Sequence, residues 1–186
     1  MKLGIGVTGA SGSVYTQVLL KRLQEHADQI EEAGIVWSNN AHVVWQEELQ
    51  DNSYQDFKIN TWAINDFYAP IASGSAAFDA FIICPCSMGT LGRMANGISD
   101  NLITRAADVM LKERKKLICV IRETPLSLIH IRNMQIVTEA GGIICPASPS
   151  FYSRPQNIEE AVQTVIDRVL QLAGLKVNSF QWGSAR

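Results

Sequence analysis

The sequence predicts a Rossmann-like (flavodoxin-like) α/β fold, in which a doubly wound parallel sheet forms a single domain. Short β-branched runs alternate with segments of helical periodicity, which is typical of parallel strands joined by crossover helices. The 186 residues suffice for one domain with a full core, and 47% apolar with 18% charged residues is typical of globular proteins. We expect the folded domain to span residues 1–174 and a C-terminal tail to span residues 175–186.

Five short apolar runs predict buried strands. They span residues 3–8, 35–37, 80–85, 117–121 and 142–146. Residues 50–64 show no strong periodicity, so we expect an irregular crossover there.

Helical periodicity fills the stretches between and after these strands. The predicted helices span residues 14–28, 41–49, 90–95, 101–114, 127–140 and 158–172. In the first helix, Val14 and Val18 belong to an apolar stripe, while Lys21 falls toward water. The last helix opens on Asn157 as a candidate N-cap and has Glu159 in its first turn, where the helix dipole favours acids.

Charge and hydropathy exclude some classes of function. The net charge of −2 gives no whole-chain support for non-specific nucleic-acid binding. No apolar run approaches the roughly 18 residues that a membrane span needs. The first residues lead straight into a strand without a signal-peptide cleavage pattern, so we expect a cytoplasmic protein.

The four cysteines favour a structural role over a metal or redox site. They all fall in or at the end of predicted buried strands: Cys84, Cys86, Cys119 and Cys145. No second Cys/His pair stands at zinc-type spacing, so we expect no metal. Small buried thiols pack like apolar side chains.

Polar residues follow four of the predicted strands, where a doubly wound sheet places its ligands. They are Ser11, Ser38, Ser87 and Arg122, the last followed by Glu123. The loop 8–13 between the first strand and first helix is glycine-rich but lacks the G-x-G-x-x-G spacing. Alone it fits an ordinary turn as well as a ligand loop, whereas four coincident polar ends favour a ligand site.

Several cations are candidates for binding an anion. Arg105 and Lys112 lie seven residues apart, on one helix face, and could form an anion pocket with Arg122, Arg154 and Arg168. The simpler alternative to an anion pocket is that these cations lie on a solvent-exposed helix face and bind no ligand. Glu48 and Glu123 are the carboxylates considered for proton transfer. The histidines are not candidates for catalysis: His26 and His42 are predicted on helix surfaces, and His130 is predicted to be a packed helix residue.

Six ordered motifs carry a family resemblance over nearly the whole chain. They are Ala72-Ser73-Gly74-Ser75, Cys84-Pro85-Cys86-Ser87, Arg105-Ala106-Ala107-Asp108, Leu111-Lys112-Glu113-Arg114, Arg122-Glu123-Thr124-Pro125 and Phe151-Tyr152-Ser153-Arg154-Pro155. In these the chain resembles the UbiX-type flavin prenyltransferases, within the flavin-dependent cysteine decarboxylase-like superfamily. The resemblance implies transfer of a dimethylallyl group from dimethylallyl phosphate to reduced FMN. It also implies a homo-oligomer, commonly a dodecamer, and a separate decarboxylase of the ubiquinone or aromatic-acid type that uses the prenylated FMN.

The same resemblance assigns roles to individual residues. It implies that FMN is held by Gly9, Ala10, Ser11, Ser38, Ser87, Met88, Gly89, Thr90 and Arg122. It implies that the prenyl phosphate is held by Lys112, Tyr152 and Arg168, with Arg105 nearby. It implies catalytic roles for Glu48, Glu123 and Ser11, the two glutamates assisting proton movements or orienting the phosphate ligands.

Two other functions remain open at this point. One is an FMN-dependent decarboxylase of a cysteine-derived substrate on the same fold. Those relatives carry a Pro-Ala-Ser-Ala-Asn-Thr motif and a catalytic His, whereas this chain has Pro85-Cys86-Ser87-Met88-Gly89-Thr90 and no His near Ser11 or Ser87. The other is a non-catalytic FMN-binding subunit, which predicts loss of the phosphate-binding residues.

Overall fold

The computed structural model describes residues 1–180 and residue 183. The strands are β1 (Lys2–Val7), β2 (Glu32–Trp37), β3 (Asn60–Trp62), β4 (Ala80–Cys86), β5 (Lys116–Ile121) and β6 (Ile143–Pro146). The helices are α1 (Ser13–Glu25), α2 (Asn39–Leu49), α3 (Met88–Ala95), α4 (Leu102–Lys112), α5 (Leu128–Glu139) and α6 (Ile158–Ala173). Short 3₁₀ turns occupy parts of the connections.

The strands form one parallel sheet in the order β3-β2-β1-β4-β5-β6. The chain winds outward in both directions from the β1–β4 pair, which is the Rossmann order, so the predicted doubly wound α/β fold is confirmed. A crevice is expected where β1 and β4 diverge, at the carboxyl ends of the strands.

Two apolar layers cover the sheet. One contains side chains of α1, α2 and α6, and the other contains side chains of α3, α4 and α5. All seven residues of β4 are buried, because a central parallel strand has helices over both faces. This explains why the central strands are continuous apolar runs without polar alternation.

The prediction of an irregular crossover over residues 50–64 is wrong at its end, where β3 adds an edge strand to β2. The strand has only three residues, too few to show a period in the sequence. Trp62 is buried at 7% exposure, and a Cβ at Gly34 would lie 2.1 Å from its ring. Glycine on β2 therefore leaves the space that this indole fills.

The chain after α6 continues along its own domain. Gly174 ends the helix with a φ of 113°, a left-handed conformation that glycine adopts without strain. Leu175 and Val177 are then buried in the layer formed by α1, α2 and α6. Trp182, which falls in the predicted C-terminal tail, lies outside the described residues.

Within residues 1–180 and residue 183, no helix is both long enough and apolar enough to cross a membrane.

Candidate active site

The loop between β1 and α1 is held by a carboxylate from α2. Glu48 accepts hydrogen bonds from the backbone N–H of Gly12, at 2.9 and 3.0 Å, and from that of Ser13, at 2.7 Å. These amides lie at the N-terminus of α1, where a negative charge is favourable. The amides of Gly12 and Ser13 are therefore already bonded within the protein and are not open to a ligand.

The same contacts keep Glu48 ionised. Partial burial on its own raises the pKa of Glu48, but hydrogen bonds from the Ser11 hydroxyl and from the Ser13 and Gly12 amides more than offset this effect. The net pKa of Glu48 is lower than usual. Such a carboxylate is suited to anchoring the loop and accepting hydrogen bonds rather than to donating a proton at neutral pH.

The glycines of this loop allow close packing. Gly12 has a φ of 121°, and a Cβ there would lie 3.1 Å from the Tyr15 ring. A Cβ at Gly9 would lie 2.6 Å from the Cβ of Asn40. Any side chain at these positions would displace the loop from α2 or from α1.

Thr8 joins the ends of β1 and β4. Its hydroxyl donates to the Pro85 carbonyl at 2.7 Å and accepts from the Ser87 N–H at 2.8 Å. Thr8 was not among the predicted site residues, although it is the polar residue that directly follows an apolar strand. It holds the serine-bearing turn of β4 against the glycine-rich loop.

The turn after β4 opens α3. The Ser87 hydroxyl accepts from the Thr90 N–H at 3.3 Å and donates to the Thr90 hydroxyl at 3.0 Å. Gly89 is exposed, whereas the Met88 side chain is buried in the core. Of the four predicted flavin-binding residues here, Met88 could therefore contribute only its backbone.

The Ser38 hydroxyl makes no hydrogen bond to any of the described residues. Ser38 lies at the carboxyl end of β2 and is the N-cap residue of α2, yet its side chain makes no capping hydrogen bond. Its Oγ is buried and has no partner among the described residues. Buried hydroxyls usually have a partner, so this one indicates a site for a polar ligand.

Arg122 extends from the end of β5 toward the glycine-rich loop. Its Cδ lies 3.8 Å from where a Cβ at Gly12 would be. Burial is the main cause of the raised pKa of Tyr15, and the charge of Arg122 acts in the opposite direction and lowers it. Tyr15 donates to the Ala147 carbonyl at 3.1 Å. The neighbouring Glu123 is exposed and accepts from the Thr124 N–H at 3.0 Å.

The four residues predicted for the prenyl phosphate do not meet within one chain. Arg105 and Lys112 lie on α4, on the opposite face of the sheet from Arg168 on α6. Arg105 donates to the Ala72 carbonyl at 3.1 Å and to Asp108 at 3.2 Å. Lys112, the last residue of α4, donates to Glu113 at 2.8 Å. Since α4 starts at the carboxyl edge of the sheet and spans about 16 Å, Lys112 lies near the opposite edge.

Tyr152 and Arg168, unlike Lys112, both lie near the segment that follows α6. Arg168 lines a cleft of about 450 Å³ between α6, the loop that includes Ser150 and Ser153, and the segment after α6 that includes Phe180. Tyr152 belongs to the same loop, and its ring stacks on Phe180 with centroids 6.2 Å apart. This part of the candidate site is on the same face as α1 and α6.

An aromatic cluster that the sequence analysis missed supports α2. His42 stacks on Trp37, with ring centroids 4.8 Å apart, and its ring centroid lies 4.6 Å from that of Tyr54. Burial lowers the pKa of His42, and its buried Nδ1 has no partner among the described residues. The prediction that His42 is a helix-surface residue is wrong, because α2 turns this side toward residues 50–56, which carry no periodicity of their own.

The cysteines are thiols in the sheet. A hydrogen bond with Cys119 and then burial raise the pKa of Cys86, and burial raises that of Cys84. Over the described part of the chain, no group of three or more His, Cys, Asp or Glu side chains is placed to hold a metal ion.

The carboxyl edge of the sheet carries polar groups suited to a polar ligand with an anionic part. It provides the buried Ser38 hydroxyl, which has no partner among the described residues, the Ser87–Thr90 hydroxyl pair at a helix start, and the exposed Arg122 guanidinium beside a glycine turn. These residues fit FMN. Fold and site together define a nucleotide-binding protein of the doubly wound α/β class.

Comparison with known proteins identifies the family. The model of the Flavoprotein family matches residues 1–172. The flavin prenyltransferase UbiX of Methanocaldococcus jannaschii is 41% identical over 99% of this chain and 100% of its own. The chain belongs to the flavoprotein family and, within it, to the UbiX-type flavin prenyltransferases, which are transferases.

Solved structures agree. A dodecameric FMN-dependent UbiX-like decarboxylase from Escherichia coli O157:H7 has a TM-score of 0.91 at 37% identity, over 97% of this chain and 99% of its own. AnUbiX (PadA1), solved with FMN and dimethylallyl pyrophosphate, has a TM-score of 0.88 at 37% identity, over 97% and 98%. The epidermin biosynthesis protein EpiD from Staphylococcus aureus has a TM-score of 0.58 at 21% identity, over 81% of this chain and 85% of its own, and this likeness shows the fold alone.

Proposed function

We propose that this enzyme transfers the dimethylallyl group of dimethylallyl phosphate to reduced FMN, in a site completed by neighbouring copies of the chain. The observation that carries the proposal is the near-full-length similarity to flavin prenyltransferases, one of them solved with FMN and dimethylallyl pyrophosphate. All residues that the resemblance assigns to the donor phosphate are present, which disfavours a non-catalytic FMN-binding subunit.

FMN would lie at the carboxyl edge, between the glycine-rich loop and the turn after β4. Gly9, Ala10 and Ser11 would contact it from one side, and Ser87, Met88, Gly89 and Thr90 from the other. Ser38 would donate its free hydroxyl to the ligand, and Arg122 would bind a negatively charged part of it. Glu48 would act by keeping the loop in place, since its oxygens already bind the loop amides.

Bound reduced FMN would be the nucleophilic substrate. The allylic C–O bond of the donor would break, with inorganic phosphate leaving with the bonding electrons, and the prenyl group would bond to flavin N5 in place of the N5 proton. Bonding to C6 would use the prenyl double bond, which gains one proton as C6 loses one. The protein must stabilise the negative charge that develops on this phosphate. Lys112, Arg168 and the Tyr152 hydroxyl are suited to this role, with Arg105 nearby. Glu123, exposed beside Arg122, would help to orient the cations or accept a proton.

The positions of these cations support a shared site. Lys112 and Arg168 are on opposite faces of one sheet, so both can reach one phosphate only if they come from different subunits. An exposed apolar surface on α5 is available for assembly. Its residues and their exposures are Leu128 at 60%, Ile129 at 69%, Ile131 at 49% and Ile136 at 43%. A contiguous patch of this kind is typical of a protein–protein interface.

The direct test is anaerobic incubation of the protein with reduced FMN and dimethylallyl monophosphate, followed by mass analysis of the released flavin. A gain of one five-carbon prenyl unit is expected. A parallel arm with the diphosphate identifies the preferred donor. Unchanged FMN with both donors, while flavin binding is intact, would refute the proposal.

A complementation experiment tests the shared site. Lys112→Ala and Arg168→Ala subunits should each be inactive alone, and co-assembled oligomers should recover part of the activity. Recovery is expected because some mixed sites combine an intact Lys112 from one subunit with an intact Arg168 from another. No recovery in oligomers shown to contain both variants would place the two residues in the same subunit.

A separate decarboxylase would consume the prenylated flavin, since the transferase releases it as product. The expected result is that the enzyme's filtrate activates an apo-decarboxylase of the ubiquinone or aromatic-acid type, whereas filtrate from Lys112→Ala does not. The cytoplasmic location predicted from the sequence stays a prediction.

A further inference from the structure

The segment after α6 makes contacts that converge on the donor side of the proposed site. We propose that this segment, residues 175–180, is a positioning element that holds Tyr152 and Arg168 in the arrangement needed to bind the donor phosphate. The inference rests on the proposed function and adds Phe180 and Gln171 as positioning residues.

The first part of the segment is anchored to the domain. Leu175 and Val177 are buried at 3% and 8% exposure. Between them, the Lys176 backbone forms two hydrogen bonds with the Gln29 side-chain amide, at 2.8 and 3.0 Å. The segment therefore starts from a fixed point on the same face as α6.

The end of the segment contacts Tyr152 directly. The rings of Phe180 and Tyr152 are inclined by 12° with centroids 6.2 Å apart, within the range of an offset stack. Tyr152 is 68% exposed and lies in a loop without helix or strand. The stack therefore limits where its ring, and with it the phenol hydroxyl, can lie.

The segment contacts Arg168 through Gln171. The Gln171 amide nitrogen donates to the Val177 carbonyl at 3.3 Å and to the Ser179 hydroxyl at 2.8 Å. Its amide oxygen accepts from the Arg168 guanidinium at 3.5 Å. One glutamine side chain thus connects the segment to the guanidinium.

These contacts define the walls of one cleft. Arg168, Gln171, Ser179 and Phe180 all line it. A long arginine and an exposed tyrosine lose considerable side-chain entropy when they bind a ligand. Restraining both beforehand lowers that cost, so the segment should raise donor affinity more than it changes the chemical step.

The test uses Phe180→Ala and Gln171→Leu. Donor affinity is measured by calorimetry on protein loaded with oxidised FMN, which lacks the reducing electrons of the reaction, and kinetics are measured with reduced FMN. Each variant should raise the dissociation constant and the KM for dimethylallyl monophosphate by about three- to tenfold, since one aromatic pair or hydrogen bond is lost. Its kcat should change less, and FMN affinity should stay the same.

Three controls make the result specific. Phe180→Tyr keeps the ring and should behave like the wild type. Lys176→Ala removes an exposed side chain of the same segment and keeps its backbone hydrogen bonds, so it should also behave like the wild type. In a Tyr152→Ala background, Phe180→Ala should have little further effect on donor affinity, because residues that act through one contact are not additive.

Unchanged donor affinity in both variants would overturn the inference, and so would additive effects in the double variant or a joint loss of FMN affinity. Failure of the proposed function is a separate outcome, in which the wild type itself leaves FMN unmodified. The calorimetric comparison of variants would then still decide whether the segment positions an anion-binding pair.

Discussion

The two halves of the proposed site differ in how their residues are held. On the flavin side, Thr8, Glu48 and Ser87 make hydrogen bonds between elements that are far apart in the chain. On the donor side, Lys112 and Arg168 are exposed and bind neighbours one and three residues away. The difference supports the proposal that folding of one chain builds the flavin side, whereas the cations of the donor side are brought together by a second subunit.

The largest effect is expected on the donor side. Lys112→Ala should lower kcat/KM for dimethylallyl phosphate by about 10²- to 10³-fold, because a charge that stabilises the leaving phosphate is lost. FMN affinity should remain unchanged, since Lys112 is remote from the flavin loops. The measurements are steady-state prenylation under anaerobic conditions and fluorescence titration of FMN.

Lys58→Ala serves as the control, because Lys58 is an exposed lysine in the crossover between α2 and β3. It should leave both kcat/KM for dimethylallyl phosphate and FMN affinity unchanged. A loss of FMN affinity in Lys112→Ala would mean that the two halves are not separable as described.

An intermediate effect is expected for Glu48→Gln, which removes the charge that holds the glycine-rich loop. Because Glu48 is partly exposed, the loss in unfolding free energy should be only about 1 kcal/mol, and FMN affinity should fall about tenfold. Urea unfolding measures the change in unfolding free energy, and FMN titration measures the change in FMN affinity. Glu47→Gln, next to it on α2, should have neither effect.

The same variant gives a pH test. The pKa of Glu48 is lowered in the folded protein, so its stabilising contribution is fully present above the ordinary carboxyl value of 4.5 and is lost as the pH falls through the lowered pKa. The stability difference between wild type and Glu48→Gln should therefore be constant above pH 4.5 and shrink below it. A difference that grows on acidification would contradict the assigned direction of the shift.

The smallest effect is expected for Ser38→Ala. Its hydroxyl has no partner within residues 1–180 and residue 183, so its removal should leave the stability of the FMN-free protein unchanged or slightly higher. FMN affinity should fall by about fivefold, as for one lost hydrogen bond. Ser87→Ala is the informative comparison: its hydroxyl caps α3, so it should lose both FMN affinity and about 1 kcal/mol of stability. Lower stability in FMN-free Ser38→Ala would show that the hydroxyl has a structural role.

The fold could be read largely from local sequence patterns. Apolar runs located five of the six strands in the described part of the chain, and polar residues after the strands predict Ser38, Ser87 and Arg122 as site residues, which stays a prediction. β3 was missed because three residues carry no measurable period. Thr8 was overlooked although its position after a strand was a usable signal, whereas the aromatic contacts of His42 had no local signal.

The sequence by itself determined the layers of this protein, the carboxyl-edge location of its polar loops and the family to which it belongs. Those features follow from periods of two to four residues and from short motifs, which each segment carries on its own. The tertiary structure alone decided the strand order, the partnership of Glu48 with a loop 36 residues away, the burial of the Ser38 hydroxyl and the stack of Phe180 on Tyr152. These depend on which distant surfaces meet when helices and sheet pack together, and no local pattern specifies such a meeting.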